Sequence, residues 1–407
     1  MRSGVPGFRP ERLIEARAAR GLTQVALADL SGRKSSNISR WESGEQLPEP
    51  EALHAVAKGL NLPVSYFLAT PVEHGAAPMF ARSMAATSKA MRARVGSRLR
   101  WAQDVSLYLQ QELDLPAPDV PTLDVRDFLE IRDEDIERVA MECREKWGLG
   151  LGPISDVLLV MENAGIIVVK EQIDSGNMDG LSNWSMADGR PYVFLATDKQ
   201  TCVRSRMDAA HELGHLVLHR GLTERTLYDA AAFKEIERQA FAFAGAFLLP
   251  AESFSAEVWS PSLPGFQALK SRWKVSIGAM IMRCANLGII DDEGKQRLFK
   301  HYSAKGWRKA EPLDRDMEPE RPRLLGRSIK LLCDERIVTR TQLLDGLRLY
   351  AHDVESLCDL PAGFFENKGT VSDIRLKRNG IDAATPIALV DADQIATDNV
   401  VRPQRWR

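Results

Sequence analysis

No Cys-x-x-Cys pair occurs in this sequence. Its five cysteines, Cys143, Cys202, Cys284, Cys333 and Cys358, stand far apart. That excludes a cysteine-held zinc site and a dithiol redox motif. Scattered single thiols fit a reducing compartment, and a cytoplasmic location is expected. Long apolar runs are missing too. The longest charge-free apolar stretch, Gln239 to Pro250, falls short of the ~18 residues a membrane span requires, so no membrane association is expected. Met1 to Leu13 carries Arg2, Arg9, Glu11 and Arg12 without an apolar centre, so it does not read as a signal peptide. There is no Gly-rich phosphate loop, no internal repeat and no low-complexity tract. Neither charge sign dominates: 54 basic against 56 acidic residues give a net charge of -2. A nucleic-acid surface, if present, must be local.

What is present is a globular composition, 44% apolar and 27% charged, over 407 residues. That length predicts two to four domains. Residues 8 to 69 read as five short helices. Leu13, Ile14 and Ala18 mark the first, which Gly21 ends. Thr23 caps the second, with Val25, Leu27, Ala28 and Leu30 expected inward and Gly32 at its end. The third starts at Lys34 or Ser35, is anchored by Ile38 and Trp41, and stops at Gly44. Leu53 to Leu60 and Pro63 to Phe67 complete the unit. Two short helices joined by a glycine turn are the shape that lays one helix in the DNA major groove. The third helix would offer Lys34, Ser35, Ser36, Asn37 and Arg40 to bases and phosphates, with no acid among them. Gln24, at the start of the second helix, is placed to reach the backbone or a base.

These residues carry a resemblance. Gly21-Leu22-Thr23-Gln24, Leu27-Ala28, Ile38 to Gly44 and Pro48 resemble the XRE family of helix-turn-helix regulators, the Cro/C1-type repressors. The resemblance implies binding to double-stranded operator DNA, and the segment's slight excess of basic over acidic residues predicts dependence on homodimer formation.

Residues 82 to 100 hold Arg82, Lys89, Arg92, Arg94, Arg98 and Arg100, and no acid lies between His74 and Gln103. A solvated helix face is the first reading, a basic arm on DNA phosphates the second. Pro116, Pro118 and Pro121 make 113–123 a stiff linker.

Beyond it, the pattern predicts an α+β domain: helices over 134–147 and 153–163, and strands near 165–169, 181–186 and 191–196. The helix from about Cys202 to His219 contains His211-Glu212-Leu213-Gly214-His215. Two imidazoles four residues apart lie on one helix face and can grip one metal ion. Glu212 then points beside that ion, placed to take a proton from bound water. This is the minimal constellation of a zinc peptidase. Zinc catalysis takes three protein ligands and one open position. On the next helix Glu237, Ala240, Phe241, Ala244 and Leu248 share a face, which makes Glu237 the third ligand, with Glu235 and Asp229 in reserve. His219, on the same straight helix, is read as supporting. Tyr228, His219, Arg204 and Arg206 are all candidates to stabilise an oxyanion. A substrate peptide could add a strand at a sheet edge near Leu181 to Ser185.

A second resemblance follows from these residues. Ala210 to Leu216, Leu218-His219, Glu237-Arg238-Gln239-Ala240, Phe243-Ala244 and Phe247 to Pro250 resemble the ImmA/IrrE metallopeptidases over roughly Leu123 to Gly306. Many members carry Glu where this chain has Gln239. The two-His, one-Glu set is that of a thermolysin-like (gluzincin) enzyme, with Zn²⁺ as the expected cofactor, though such sites also accept ions such as Mn²⁺. The resemblance implies cleavage of a regulatory protein, often a repressor, in a stress response. The chain itself is another candidate substrate, with 113–123 and 310–323 as accessible cutting sites, and single-stranded DNA a candidate activator.

The fold class expected is therefore mostly α with one α+β domain. The divisions are a helix-turn-helix domain at 1–69, a connector at 70–123, the peptidase domain at 124–255, a helix-turn-helix-like subdomain at 256–310, a helical region at 311–365 and a tail at 366–407. The alternative reading is a pure DNA-binding regulator whose metal site is structural or sensory. A third is a protein-binding module that reads a ligand through its C-terminal helices.

Overall fold

The computed structural model describes residues 4–75, 80–81, 88–174, 178–198 and 201–366. The side chains of Phe80, Ala81, Glu224 and Tyr228 fall outside that description, as does the tail from 367 onward. The first unit contains α1 (Pro10–Ala19), α2 (Gln24–Ser31), α3 (Ser35–Glu42) and α4 (Pro50–Leu60). The fifth expected helix is a 3-10 turn at Val64–Leu68. Thr23 caps α2 by accepting from the Ala26 amide, and Gly32 ends it with φ +64°. Ile38 and Trp41 are buried, as their spacing predicts. Val25 and Leu30 are not: they are 59% and 58% exposed. On an eight-residue helix that packs against α3 and α4, Leu27 and Ala28 fill the inward face, and Val25 and Leu30 fall on the outer one.

A four-stranded sheet follows, made of β1 (Phe80–Ala81), β2 (Ile167–Glu171), β3 (Gly180–Trp184) and β4 (Pro191–Ala196) in the order β1-β3-β4-β2. The hairpin between β3 and β4 contains Asp188-Gly189, with Gly189 at φ +64°. Strand β2 runs parallel to β4, with Val168 opposite Val193. The central strand explains this order. Tyr192, Val193, Phe194 and Leu195 are all buried, so β4 has cores on both faces and takes the middle of the sheet. Tyr192 and Phe194 join one core with Ile167, Val169 and Leu181. Val193 and Leu195 join the other with Val168.

The first core is closed by α5 (Lys89–Leu109). Val95, Leu99, Trp101, Ala102, Val105 and Leu109 are fully buried, and the same apolar cluster includes the helix-turn-helix core. Three of the basic residues on α5 are held by protein partners rather than presented to solvent or DNA, while Lys89 is exposed and Arg82 lies outside the described residues. Arg98 is buried and bonds Glu171 and Asp353, Arg100 bonds Glu15, and Arg94 donates to the Ile173 carbonyl. Arg20 of the helix-turn-helix unit grips the buried Asp353 with two 2.6 Å bonds. Asp353 lies on α16 (Ala351–Leu357), which with α14 (Leu324–Asp334) and α15 (Arg340–Leu347) forms the C-terminal helical group.

The second core is built by α6 (Asp133–Lys146), α7 (Val157–Asn163), α8 (Cys202–Leu218) and α9 (Ala230–Leu248), followed by α10 (Ala251–Glu257). Then come α11 (Leu263–Trp273), α12 (Ile277–Asn286) and α13 (Asp292–Ala304). Trp273, Met280, Ile281 and Cys284 are buried in this same core, so the second helix-turn-helix-like pair is packed with α6 to α9. The two proline-containing stretches are bound to the body. Leu123 N donates to the Val217 carbonyl and Asp119 N to that of Ala164. Glu320 pairs with Arg206, and Glu311 with Lys270 at 2.7 Å. Neither is a loose linker, because each satisfies buried groups of the domain it crosses.

Candidate metal centre

Helix α8 begins where the Thr201 side chain accepts from the Arg204 amide. It is buried along nearly its whole length, so its i, i+4 imidazoles have little access to water. His211 and His215 are 0% exposed and Glu212 1%. Asp229 caps α9 through the Ala232 amide. The two helices pack closely at Gly214. A Cβ there would sit 3.0 Å from the Ala240 carbonyl oxygen and 3.2 Å from the Ala240 Cα. A glycine inside the motif and an alanine three residues past Glu237 therefore let α9 bring its carboxylate over α8.

His211 Nε2 and His215 Nε2 are 3.1 Å apart. Glu237 Oε2 lies 3.4 Å from the first, and Oε1 lies 3.2 Å from the second. The three ligand-type atoms are within 4.8 Å of one another. The buried Glu237 Oε1 has no hydrogen-bond donor aimed at it among the described residues. Two facing imidazole nitrogens and a carboxylate form a donor set suited to one divalent cation. The residues fit such an ion. Burial pushes the His215 pKa down to about 4 against the pull of Glu237. Neutral imidazoles are the form that binds metal.

His219 stands behind this set, fully buried. Its Nδ1 is 3.0 Å from His215 Nδ1, and its Nε2 is 3.0 Å from Gln239 Oε1. Gln239 Nε2 donates to the carbonyls of Phe128 and Ile131, at 2.8 and 3.4 Å. Carbonyls only accept, so the amide orientation is fixed and Oε1 faces His219. His219 then donates from Nε2 and accepts at Nδ1. His215 donates from Nδ1, which leaves the Nε2 lone pair directed at Glu237 and His211. Burial and the neighbouring His215 push the His219 pKa down to about 3, which keeps the chain neutral. The reserve acids are engaged elsewhere: Glu235 pairs with Arg238 at 2.8 Å, and Asp229 is the α9 cap.

Strand β3 positions Glu212. Ser182 Oγ donates to Glu212 Oε2 at 2.6 Å. A Cβ on Gly180 would fall 2.5 Å from Glu212 Oε1. Neither residue was foreseen from sequence, because a serine and a glycine in a short strand carry no motif. Arg206 is tied to Glu320 and the Ile154 carbonyl, and Arg204 to Asp179. Those bonds, and the His215–His219–Gln239 chain, occupy three of the four oxyanion candidates. The Tyr228 side chain lies outside the described residues. Phe241 packs on His211 with ring centres 4.2 Å apart. It also lines a cavity of about 670 Å³ with Met207, Met282, Phe299 and Trp307. The apolar walls of this cavity begin one helical turn before His211.

On the helix-turn-helix unit, Lys34 at the N-cap of α3 and Ser35, Ser36 and Arg40 on the helix are exposed, and Asn37 is half-buried. Gln24 is half-buried and donates to Glu42 at 2.7 Å. Glu42 in turn accepts a second bond of 2.9 Å from Arg17.

Comparison with known families places both parts of the chain. A model of a helix-turn-helix domain matches residues 11–65. The model of the IrrE N-terminal-like domain, a metallopeptidase-type domain, matches residues 161–285. The chain thus joins an XRE-type helix-turn-helix domain to an ImmA/IrrE-type domain. No curated protein matches it. No helix among the described residues is long and apolar enough to cross a membrane.

Proposed function

We propose that the chain is a DNA-binding regulator carrying a zinc-dependent endopeptidase. The observation that carries this reading is Glu212. A purely structural or sensory site has no use for a buried carboxylate beside the two histidines, held in place by Ser182 at 2.6 Å. His211, His215 and Glu237 would hold Zn²⁺, in the thermolysin-like arrangement. A bound Zn²⁺ supplies Lewis acidity toward water and the scissile carbonyl.

The remaining work falls to the protein. Glu212 takes the proton of the attacking water and passes it to the departing amine. Ser182 holds the carboxylate plane, and Gly180 leaves room for it. Gln239 and His219 keep His215 in the tautomer that presents Nε2. The buried surroundings of α8 limit competing water. Met207, Phe241 and their neighbours would receive an apolar substrate side chain.

On the DNA side, α3 is the groove-facing helix. Lys34, Ser35, Ser36, Asn37 and Arg40 are its contacts, with Gln24 beside them. Operator DNA bound by a homodimer, cleavage of a repressor or of the chain itself, a role in stress and activation by single-stranded DNA all belong to this reading.

The test is incubation of zinc-loaded protein, alone and with candidate repressors, with and without single-stranded DNA, followed by mass analysis of fragments. Fragments from the wild type and none from Glu212→Gln, at equal metal content, are expected. Identical fragments from both proteins would remove the basis for the peptidase.

A further inference from the structure

The 670 Å³ cavity beside His211 is walled by two distant parts of the chain. Met207 and Asp208 line it from the face of α8 that carries His211, four and three residues before that ligand. Phe241, stacked on His211, joins the cavity to the metal-type cluster. Its other walls include the segment 307–310, which follows α13. That segment has a fixed course. Just beyond it, the fully buried Lys270 donates to Glu311 at 2.7 Å and to Asp314 at 2.5 Å. Glu311 also accepts from the Ile277 and Gly278 amides and from the Tyr302 hydroxyl. Trp307 sets its ring edge-on to Tyr302, with centres 6.0 Å apart.

The charges on this lining do not cancel. Its acids are Asp208, Glu311 and Asp314, and each already faces a cation. Arg204 lies 3.8 Å from Asp208, and Lys270 serves the other two. Two lining arginines are engaged as well, Arg238 by Glu235 and Arg283 by Glu137. Arg308 and Lys309 differ. Both are exposed, and no carboxylate among the described residues pairs with either. Arg308 donates only through Nε, to Ser303 Oγ at 2.6 Å, which leaves both Nη groups open.

We infer that Arg308 and Lys309 are specificity-determining residues of this cleft, and that they select a substrate segment carrying an acidic side chain next to a large apolar one. The inference rests on the peptidase reading above. Met207, Phe241 and Trp307 supply the apolar surface, and the two cations on the rim supply the complementary charge. The dimensions fit neighbouring side chains. Thr201 and Asp208, both on the lining, are separated by about 10 Å along α8. An extended peptide covers that length in about three residues. Exposed cations act on encounter and binding, so the discrimination falls on substrate affinity and leaves the chemical step alone.

The experiment uses the full zinc-loaded chain with Glu212→Gln, so that bound peptide is not consumed. The probes are fluorescein-labelled hexapeptides, Ala-Ala-Phe-Glu-Ala-Ala and its Gln and Lys counterparts at the fourth position, followed by anisotropy. The Glu peptide should bind about fivefold more tightly than the Gln peptide, the range for two exposed charge pairs, and the Lys peptide more weakly than both. Raising the salt should shrink the difference. Replacing Phe by Ala in the probe should cost about tenfold or more. Adding Arg308→Ala/Lys309→Ala should erase the preference for Glu, and Arg308→Glu/Lys309→Glu should reverse it toward Lys. Equal binding of the Glu and Gln peptides would overturn the inference, as would a preference that persists in the alanine pair, or no binding of any probe. If binding follows the charges but the chain with Glu212 intact cuts none of the peptides, the cleft assignment stands and the peptidase reading falls.

Discussion

His219 Nδ1 lies 3.0 Å from His215 Nδ1, so one imidazole of the metal-type cluster is oriented by another that never reaches it. Partners behind a ligating histidine fix its ring and tautomer, and their loss typically costs 10–100-fold in metal affinity. His219→Leu should therefore weaken zinc binding by about that factor while leaving the stoichiometry at saturation unchanged. Competition with a chromophoric chelator reads this directly. Wild-type affinity in the variant would mean that the His215 tautomer is set elsewhere.

Gly180 is where a single methyl group should matter. Its Cβ would land 2.5 Å from Glu212 Oε1, and Glu212 is too buried to swing away easily. Gly180→Ala should lower kcat about 10²-fold or more, the range for a displaced general base. Zinc content should stay equal to wild type. A variant with full activity would show that Glu212 has room that the packing does not reveal.

For the DNA-facing helix, Asn37→Ala combined with Arg40→Ala should weaken operator binding and leave metal content untouched. Loss of one phosphate-contacting cation should also reduce the salt slope of binding by about one. Gel shifts over a salt series measure both. Unchanged affinity and slope would move the DNA contact off α3.

Glu162 provides a pH test away from the metal cluster. Burial pushes its pKa up to about 7, even though it accepts from the Arg323 and Leu324 amides at the start of α14. A carboxyl whose folded pKa is raised binds more protons folded than unfolded. Its favourable contribution is present below the unfolded value of 4.5 and lost as pH rises through about 7. The full effect is at most roughly 3 kcal/mol. Glu162→Gln, which keeps the acceptor without the charge, should flatten the pH dependence of denaturant midpoints between pH 4.5 and 7. An unchanged slope would assign it to other groups.

Much of the local structure was legible because it depends on neighbours in sequence. The cap at Thr23, the glycine ends at Gly21 and Gly32, and strand β4 at Pro191–Ala196 follow from periodicity and turn chemistry. Arg98 and the stretch 310–323 were misread for one shared reason. Charge and proline look like solvent-facing features until distant partners, Asp353 and Glu171 for Arg98 and Arg206 for Glu320, neutralise them in a buried place. Val25 and Leu30 failed differently. On a two-turn helix the apolar pattern spans more than one face, and only packing selects the buried side.

By itself, the sequence determined that two histidines would share one face of α8 with Glu212 beside them, because helical spacing is a local property. It also placed Glu237 on the inward face of the following helix. Only the tertiary structure decided what surrounds them. Close packing at Gly214 brings Glu237 over the histidines. Gln239 and His219 set the tautomer of His215. Strand β3 holds Glu212, and the connector at Phe80–Ala81 covers its edge. The reason is that these relations join residues distant along the chain, and no period or motif in a sequence encodes which surfaces will meet.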